Sequence, residues 1–100
     1  MKSAESILGF LGILYRAKKL EIGSSLWHQM PKVRLFLKAS DADSGEAIRY
    51  EKKIKNAHLP YLELPFSKEE LGGALGKSEV TFVGITDKKS ALALISKING

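Results

Sequence analysis

Segments with helical spacing of apolar residues alternate along this chain with segments that have the spacing of strands. Apolar positions three and four residues apart predict helices near the N-terminus, in the middle of the chain, before Gly76 and at the C-terminus. Between them, residues 33–39 alternate between two faces, with Val33, Leu35 and Leu37 on one side and Arg34, Phe36 and Lys38 on the other. Residues 61–64 indicate a short strand, and residues 80–85 are apolar almost throughout. Alternation is typical of a strand with two different faces, and a continuous apolar run is typical of a strand covered on both faces. The chain is therefore predicted to contain these three strands among its helices.

Capping residues mark where the predicted helices begin and end. Ser67 followed by Glu70 is a capping-box pattern, and Asp43 followed by Glu46 is another. Gly76 is predicted to end the fourth helix in a left-handed conformation. The remaining predicted helix starts are Ser3 or Ser6 for the first helix, Gly23, Ser24 and Ser25 for a short second helix bounded by Pro31, and Asp87 for the last helix. Helices that alternate with strands in this way predict an α/β/α sandwich around one central sheet.

Length and composition indicate one globular domain spanning residues 1–100. The 100 residues are 44% hydrophobic and 27% charged, which is enough apolar material for a single core. Cysteine is absent, so disulfides, thiolate metal sites and a cysteine nucleophile are excluded, and a reducing compartment fits the composition. The apolar run from Ile7 to Tyr15 is too short to span a bilayer and ends at Arg16 without a signal-peptide cleavage pattern. We therefore expect a cytoplasmic protein without membrane contact.

Positive charge is concentrated in the first two fifths of the chain. The formal net charge is +5, and residues 1–38 carry seven basic side chains against two acidic ones, whereas residues 39–100 carry nine of each sign. A localised basic excess favours an anionic partner such as RNA. A solvated face with a chance asymmetry of charge would give the same count. Charge alone leaves both interpretations open.

Residues that could support catalysis are few. His28 and His58 are the only histidines, and neither lies in a metal-binding spacing. The segment from Gly72 to Ser78 has too few residues between its glycines for a phosphate-binding loop, and it follows a predicted helix, whereas such a loop follows a strand. Paired carboxylates occur at predicted helix starts, where negative charge is favourable without any catalytic role. We expect a protein that is not an enzyme and uses no cofactor.

Short segments along nearly the whole chain match one protein family. The run Leu71–Gly76, between a capped helix and a buried strand, is the most specific of them. The other matching segments are Leu11–Gly12, Arg16–Ala17, Lys19–Leu20, Gly23, Asp41–Ala42, Pro60–Tyr61, Lys77 and Thr86–Lys88. In these segments the chain resembles the bacterial YlxQ-type proteins of the ribosomal protein L-seven-Ae superfamily, small RNA-binding proteins that often recognise kink-turns. The resemblance implies a three-layer α/β/α sandwich with a central mixed sheet, as in ribosomal protein L-thirty-e.

The resemblance also implies an RNA-facing edge, where the start of the second helix meets the loop before the last strand. Carried over by position, its residues are Gly23, Ser24, Ser25, Gln29, Lys77, Ser78, Glu79 and Val80. Backbone N–H groups at the helix start would bind phosphates, and an apolar loop residue would pack on a splayed base. The family usually has Asn or Glu at the position of Ser25 and Lys at the position of Gln29, so two side chains that contact RNA in the family are replaced here.

These observations lead to one main hypothesis and one alternative. The main hypothesis is a monomeric, non-enzymatic protein that binds ribosomal, kink-turn or other structured RNA, with a ribosomal or translation-factor protein as a further partner. Its phosphate contacts are predicted at Arg16, Lys18, Lys19, Lys32 and Lys77. The alternative is a protein-interaction module on the same scaffold that has lost specific RNA recognition and uses Leu26 and Trp27 as an apolar anchor. Exposure of both side chains would favour the alternative, although an indole more often packs against the core.

Overall fold

Helices and strands follow one another in the order that the sequence predicts, with one additional strand. The structure is a computed structural model that describes residues 4–99. Its helices are α1 (Ala4–Arg16), α2 (Gly23–His28), α3 (Gly45–Asn56), α4 (Lys68–Leu75) and α5 (Lys88–Asn99), and a 3₁₀ turn covers Met30–Lys32. Its strands are β1 (Leu20–Ile22), β2 (Leu35–Lys38), β3 (Tyr61–Glu63) and β4 (Phe82–Ile85). The additional strand is β1, whose three residues are too few to show a spacing pattern of their own.

The four strands form one mixed sheet in the order β1-β4-β2-β3. Strand β4 runs antiparallel to β1 and β2, and β2 runs parallel to β3. The sheet therefore has two distinct ends. At the Thr81 end, β1 leads into Gly23 and β4 begins just after Thr81. At the Thr86 end, the Thr86 N–H donates to the carbonyl of Lys19, and the Arg34 N–H donates to the last residue of β4.

Helices cover both faces of the sheet. On one face lie α2 and α3, and α2 packs so closely over β4 that a Cβ atom added to Gly84 would clash with the side chain of Leu26. On the other face lie α1, α4 and α5, and a Cβ atom on Gly12 of α1 would be 2.9 Å from the carbonyl oxygen of Ala74 in α4. Phe36 in the middle of β2 is fully buried, because this strand is covered on both faces. This arrangement confirms the three-layer α/β/α sandwich with a central mixed sheet.

Three predicted helix boundaries are confirmed. The Ser67 hydroxyl accepts a hydrogen bond from the Glu70 N–H at 3.0 Å, and the Glu70 carboxylate accepts one from the Ser67 N–H at 2.9 Å, so α4 begins with the predicted capping box. The same helix ends at Gly76, whose φ of 75° lies in the left-handed region. Asp87 caps α5 by accepting hydrogen bonds from the N–H and the hydroxyl of Ser90. Side-chain hydrogen bonds thus set the starts of α4 and α5, and the left-handed backbone of Gly76 sets the end of α4.

Two other predicted helix caps are wrong, although α2 does begin at Gly23 as predicted. The residue that caps α3 is Ser44 and not Asp43, because the Ser44 hydroxyl accepts a hydrogen bond from the Ala47 N–H at 3.1 Å. Helix α2 begins directly after Ile22 without a side-chain cap, so Ser24–Ser25 lie inside its first turn. Extended backbone of β1 leads straight into α2, which leaves no separate capping residue between the two elements.

The first helix also differs from its prediction at the N-terminal side. Ser6 lies inside α1 and therefore does not cap it, and Ser3, the other candidate cap, lies outside the described residues. Helix α1 has 13 residues. Among the helices in residues 4–99, none is both long enough and apolar enough to cross a membrane.

Candidate functional site

A pocket of about 330 Å³ opens at the Thr81 end of the sheet. The first turn of α2, one face of α3, the loop between α4 and β4, and the start of β4 meet around it. We call it the Trp27 pocket, and its lining residues are Ile22, Gly23, Trp27, Glu46, Tyr50, Lys77, Ser78, Glu79, Val80, Thr81 and Phe82. The residues of an adjoining depression are Gly23, Ser24, Trp27, His28, Glu46 and Tyr50. Because the two share four residues, they form one continuous concave surface.

Trp27 forms the aromatic wall of this pocket. Its indole stacks on the ring of Tyr50 from α3, with centroids 3.9 Å apart and planes 8° apart. The indole also meets Phe82 edge-on at 5.5 Å and lies 6.1 Å from the ring of Phe36. The expectation that the indole packs against the core is confirmed. Trp27 and Tyr50 are nevertheless only partly buried, so parts of both rings remain accessible from the pocket.

Tight packing against α4 sets the path of the loop between α4 and β4. The loop turns back along the helix, so that the Lys77 N–H donates to the carbonyl of Gly72 at 2.8 Å and the Val80 N–H donates to the carbonyl of Lys68 at 2.9 Å. A Cβ atom on Gly72 would lie 2.7 Å from the carbonyl oxygen of Ser78, which is too close for any other residue without a shift of the loop backbone. Gly72 and the left-handed end of α4 together place this loop beside the pocket.

An ion-pair network holds α3 on the sheet next to the pocket. Glu51 of α3 accepts a hydrogen bond from the Tyr61 hydroxyl and lies 3.4 Å from Lys38 Nζ and 3.7 Å from Lys55 Nζ. The hydrogen bond from Tyr61, helped by the charge of Lys38, holds the pKa of Glu51 below its usual value, although burial acts in the opposite direction. Burial and the hydrogen bond to Glu51 raise the pKa of Tyr61.

The structure brings several of the predicted site residues together. Those that line the Trp27 pocket are Gly23, Lys77, Ser78, Glu79 and Val80. Ser24 borders the adjoining depression. The role predicted for Val80 needs correction, because its side chain is only 6% exposed and belongs to the core. It is therefore not free to pack on a splayed base, and the aromatic stack is the surface available for that contact.

Ser25 and Gln29 lie outside the pocket. They are one helical turn apart, Ser25 is exposed, and neither residue lines the Trp27 pocket or the adjoining depression. Helix α2 has only six residues, so its backbone dipole adds little to phosphate binding at its start. Leu26 is 0% exposed, which makes it part of the core and removes it from the apolar anchor of the alternative hypothesis.

The predicted phosphate-binding residues do not share one surface. Lys77 lines the Trp27 pocket. Lys18 and Lys19 precede β1, and Lys32 precedes β2, so these three lie toward the Thr86 end of the sheet. Arg16 lies in a groove between α1 and α4. The length of β1 alone separates the two ends by roughly 10 Å, at ~3.3 Å per residue, so the fold does not bring these five residues together at the Trp27 pocket.

Glu46 and Tyr50 are among the pocket-lining residues that were not predicted as site residues. They are four positions apart on α3, and this spacing places them on one helix face. In the sequence, Glu46 belongs to a capping-box pattern and Tyr50 to the apolar spacing of the third helix, and nothing local shows that this helix faces α2. Within residues 4–99, no group of three or more His, Cys, Asp or Glu side chains is placed to hold a metal ion.

The fold has counterparts among solved structures. No protein-family model matches the chain, and no curated protein does so. A Bacillus halodurans protein of unknown function superposes with a TM-score of 0.76 and 26% sequence identity, covering 94% of this chain and 97% of that chain. The Giardia lamblia 15.5kD RNA binding protein superposes with a TM-score of 0.69 and 20% identity, covering 97% of this chain and 88% of that chain. The chain therefore shares its fold with both proteins along nearly its whole length.

Proposed function

We propose that this protein binds structured RNA and catalyses no reaction. The observation that carries the proposal is the Trp27 pocket, where the start of α2 and the loop between α4 and β4 converge on a partly exposed aromatic stack. Among anionic partners, RNA is supported by the fold shared with the Giardia RNA binding protein. The net charge of +5 supports an anionic partner as well.

The pocket has the features needed to hold an unstacked nucleobase. Proteins recognise the bases of RNA loops and bulges by stacking them on aromatic side chains and by hydrogen bonds to the base edges. Trp27 and Tyr50 supply the aromatic surface, and Glu46 and Ser78 supply a carboxylate and a hydroxyl at the rim. Lys77 supplies a cation for an adjacent phosphate. The proposed role of the pocket is to hold one extruded base with its phosphate near Lys77.

A more specific proposal rests on the resemblance to YlxQ-type proteins. We propose that the protein belongs to this group and binds ribosomal or translation-associated RNA in the cytoplasm as a monomer. We do not propose that Ser25 and Gln29 recognise kink-turns. Ser25 and Gln29 lack the groups that the family usually places there, and both lie outside the pocket.

Crosslinking in cells, followed by sequencing of the bound RNA, tests the proposal and identifies the RNA. The recovered RNA is then titrated against the native protein and against Ser78→Leu, which narrows the pocket. The matched control is Ser96→Leu, because Ser96 is an exposed serine on α5, away from the pocket. We expect Ser78→Leu to weaken RNA binding by about tenfold, or ~1.4 kcal/mol, and Ser96→Leu to leave it unchanged.

Two outcomes would contradict the proposal. One is that no RNA is recovered above the level of an uncrosslinked sample. The other is that both leucine variants, with unchanged thermal midpoints, bind the recovered RNA as tightly as the native protein, which would place the RNA outside the Trp27 pocket.

A further inference from the structure

A second concave surface lies at the Thr86 end of the sheet, away from the Trp27 pocket. It is a groove of about 460 Å³ between the start of β2, the segment that precedes β3, and α5. Buried Val33, Leu35 and Ala91 form its floor. Leu92 of α5 lines the groove and is 58% exposed, so it adds apolar surface beside the buried floor. We call it the Arg34–Lys88 groove, after the two basic residues beside this apolar floor.

The side chains of Arg34 and Lys88 bring two positive charges to this groove. Both are exposed, and neither makes an ion pair or hydrogen bond through its side chain to another residue in the described part of the chain. The acidic residue next to Lys88 in the sequence is Asp87, whose carboxylate accepts hydrogen bonds from the N–H and hydroxyl of Ser90 at the start of α5. The groove therefore combines an apolar floor with two exposed basic side chains that form no ion pair among the described residues.

We propose that this groove binds a short acidic peptide segment of a partner protein, with an apolar side chain on the groove floor and carboxylates at Arg34 and Lys88. Charge complementarity supports this occupant, because the described residues that line the groove include both cations and no acidic side chain. The lining also includes no aromatic side chain, so it offers RNA no stacking surface. A second copy of the chain docked groove to groove would bring like charges together around the two-fold axis.

This inference goes beyond RNA binding and does not depend on it. The groove and the Trp27 pocket lie at opposite ends of the sheet, so an RNA and a peptide segment could be bound at the same time. It also places protein contact on a surface different from the one predicted with Leu26 and Trp27, since Leu26 is buried and Trp27 belongs to the aromatic wall of the pocket.

Fluorescence anisotropy with a defined peptide tests the proposal. The probe is a fluorescein-labelled peptide in which two leucines stand between two pairs of glutamates. We expect saturable binding to the native protein, weakened about tenfold by Arg34→Gln combined with Lys88→Gln and by Leu92→Ser. The matched control is Lys52→Gln combined with Lys53→Gln, which removes two exposed charges from α3 and leaves peptide binding unchanged.

Control peptides separate the two parts of the recognition. Replacing the leucines by serines, or the glutamates by glutamines, should each weaken binding about tenfold. The absence of saturable binding by the first peptide overturns the proposal. The proposal is also overturned if the Arg34 and Lys88 double variant and Leu92→Ser, at unchanged thermal midpoints, bind the first peptide as tightly as the native protein does. Loss of RNA binding by the Arg34 and Lys88 double variant without any effect on the peptide would assign the groove to RNA instead.

Discussion

At the scale of single residues, the backbone conformation of Gly76 leads to a prediction about the stability of the folded protein. Its φ of 75° is a conformation that β-branched residues resist, and a Cβ atom there would meet no atom within 4 Å. The cost of a substitution is therefore conformational strain and not a clash. We expect Gly76→Val to lower the free energy of unfolding by about 1 kcal/mol or more, measured by thermal or urea unfolding. Gly76→Asn is the control and should cost less, because asparagine tolerates left-handed backbone. An unchanged midpoint for the valine variant would contradict the left-handed cap.

Ser25 and Gln29 lead to a prediction about RNA specificity. Contacts to phosphates position a protein on RNA, whereas contacts to base edges give sequence preference. With serine and glutamine at these positions, replacing the sheared G·A pairs of a kink-turn by Watson–Crick pairs should weaken binding by less than the ~1 to 3 kcal/mol typical of one good base contact.

The double variant Ser25→Glu with Gln29→Lys should increase this discrimination. Ser25 lies in α2, and Gln29, which directly follows the helix, donates its N–H to the Ser25 carbonyl one turn back, so the new carboxylate and ammonium would lie on the same side of this segment. Competition binding of sheared and paired RNAs to the native and double-variant proteins measures both effects. Strong discrimination by the native protein would show that Ser25, Gln29 or a neighbour still recognises bases.

At the scale of elements, α4 and its following loop behave as one unit. Gly72 faces the loop backbone, with the Ser78 carbonyl oxygen 2.7 Å from the position of an added Cβ atom, whereas an added Cβ atom on Gly73 meets nothing within 4 Å. We expect Gly72→Ala to destabilise the protein by about 1 to 3 kcal/mol, because the loop must move. Gly73→Ala should instead stabilise it by up to about 1 kcal/mol through higher helix propensity.

The two alanine variants also test whether RNA binding depends on the position of the loop between α4 and β4. Gly72→Ala displaces the loop that carries Lys77 and Ser78, so it should weaken RNA binding, while Gly73→Ala should not. Urea unfolding and RNA titration on both variants provide the test. Equal stabilities for the two variants would show that the loop does not pack on Gly72 in solution.

At the scale of the whole molecule, the distribution of charge between the two ends of the sheet determines the salt dependence of RNA binding. Affinity for structured RNA should fall as salt rises, because cations at phosphates replace counterions. Lys77 lies at the Trp27 pocket, whereas Lys32 lies toward the other end. We expect Lys77→Gln to reduce the slope of log affinity against log salt by about one and Lys32→Gln to leave it unchanged. A native slope near zero would argue against RNA as the ligand, and equal effects of both variants would argue against the pocket as its site.

Much of the fold could be predicted from the sequence because the relevant signals are local. The spacing of apolar residues distinguishes helices from strands, and the Ser67–Glu70 box, Gly76 and Asp87 mark helix ends through hydrogen bonds or backbone angles within a few residues. The order of the elements then leads to three layers around one sheet. Part of the site follows in the same way, since Gly23 and the loop from Lys77 to Val80 were matched to the family by position and do line one pocket.

By itself, the sequence thus determined the kind and order of the elements other than β1, and only the tertiary structure decided which side chains meet. Pairing of β1 with β4 carries Lys18–Lys19 to the end of the sheet opposite Lys77, although all three were predicted to contact phosphates. Packing of α2 on the sheet buries Leu26 and stacks Trp27 on Tyr50. These outcomes depend on contacts between residues far apart in the chain, and a local pattern records that a residue is apolar or charged but not which distant residue it will face.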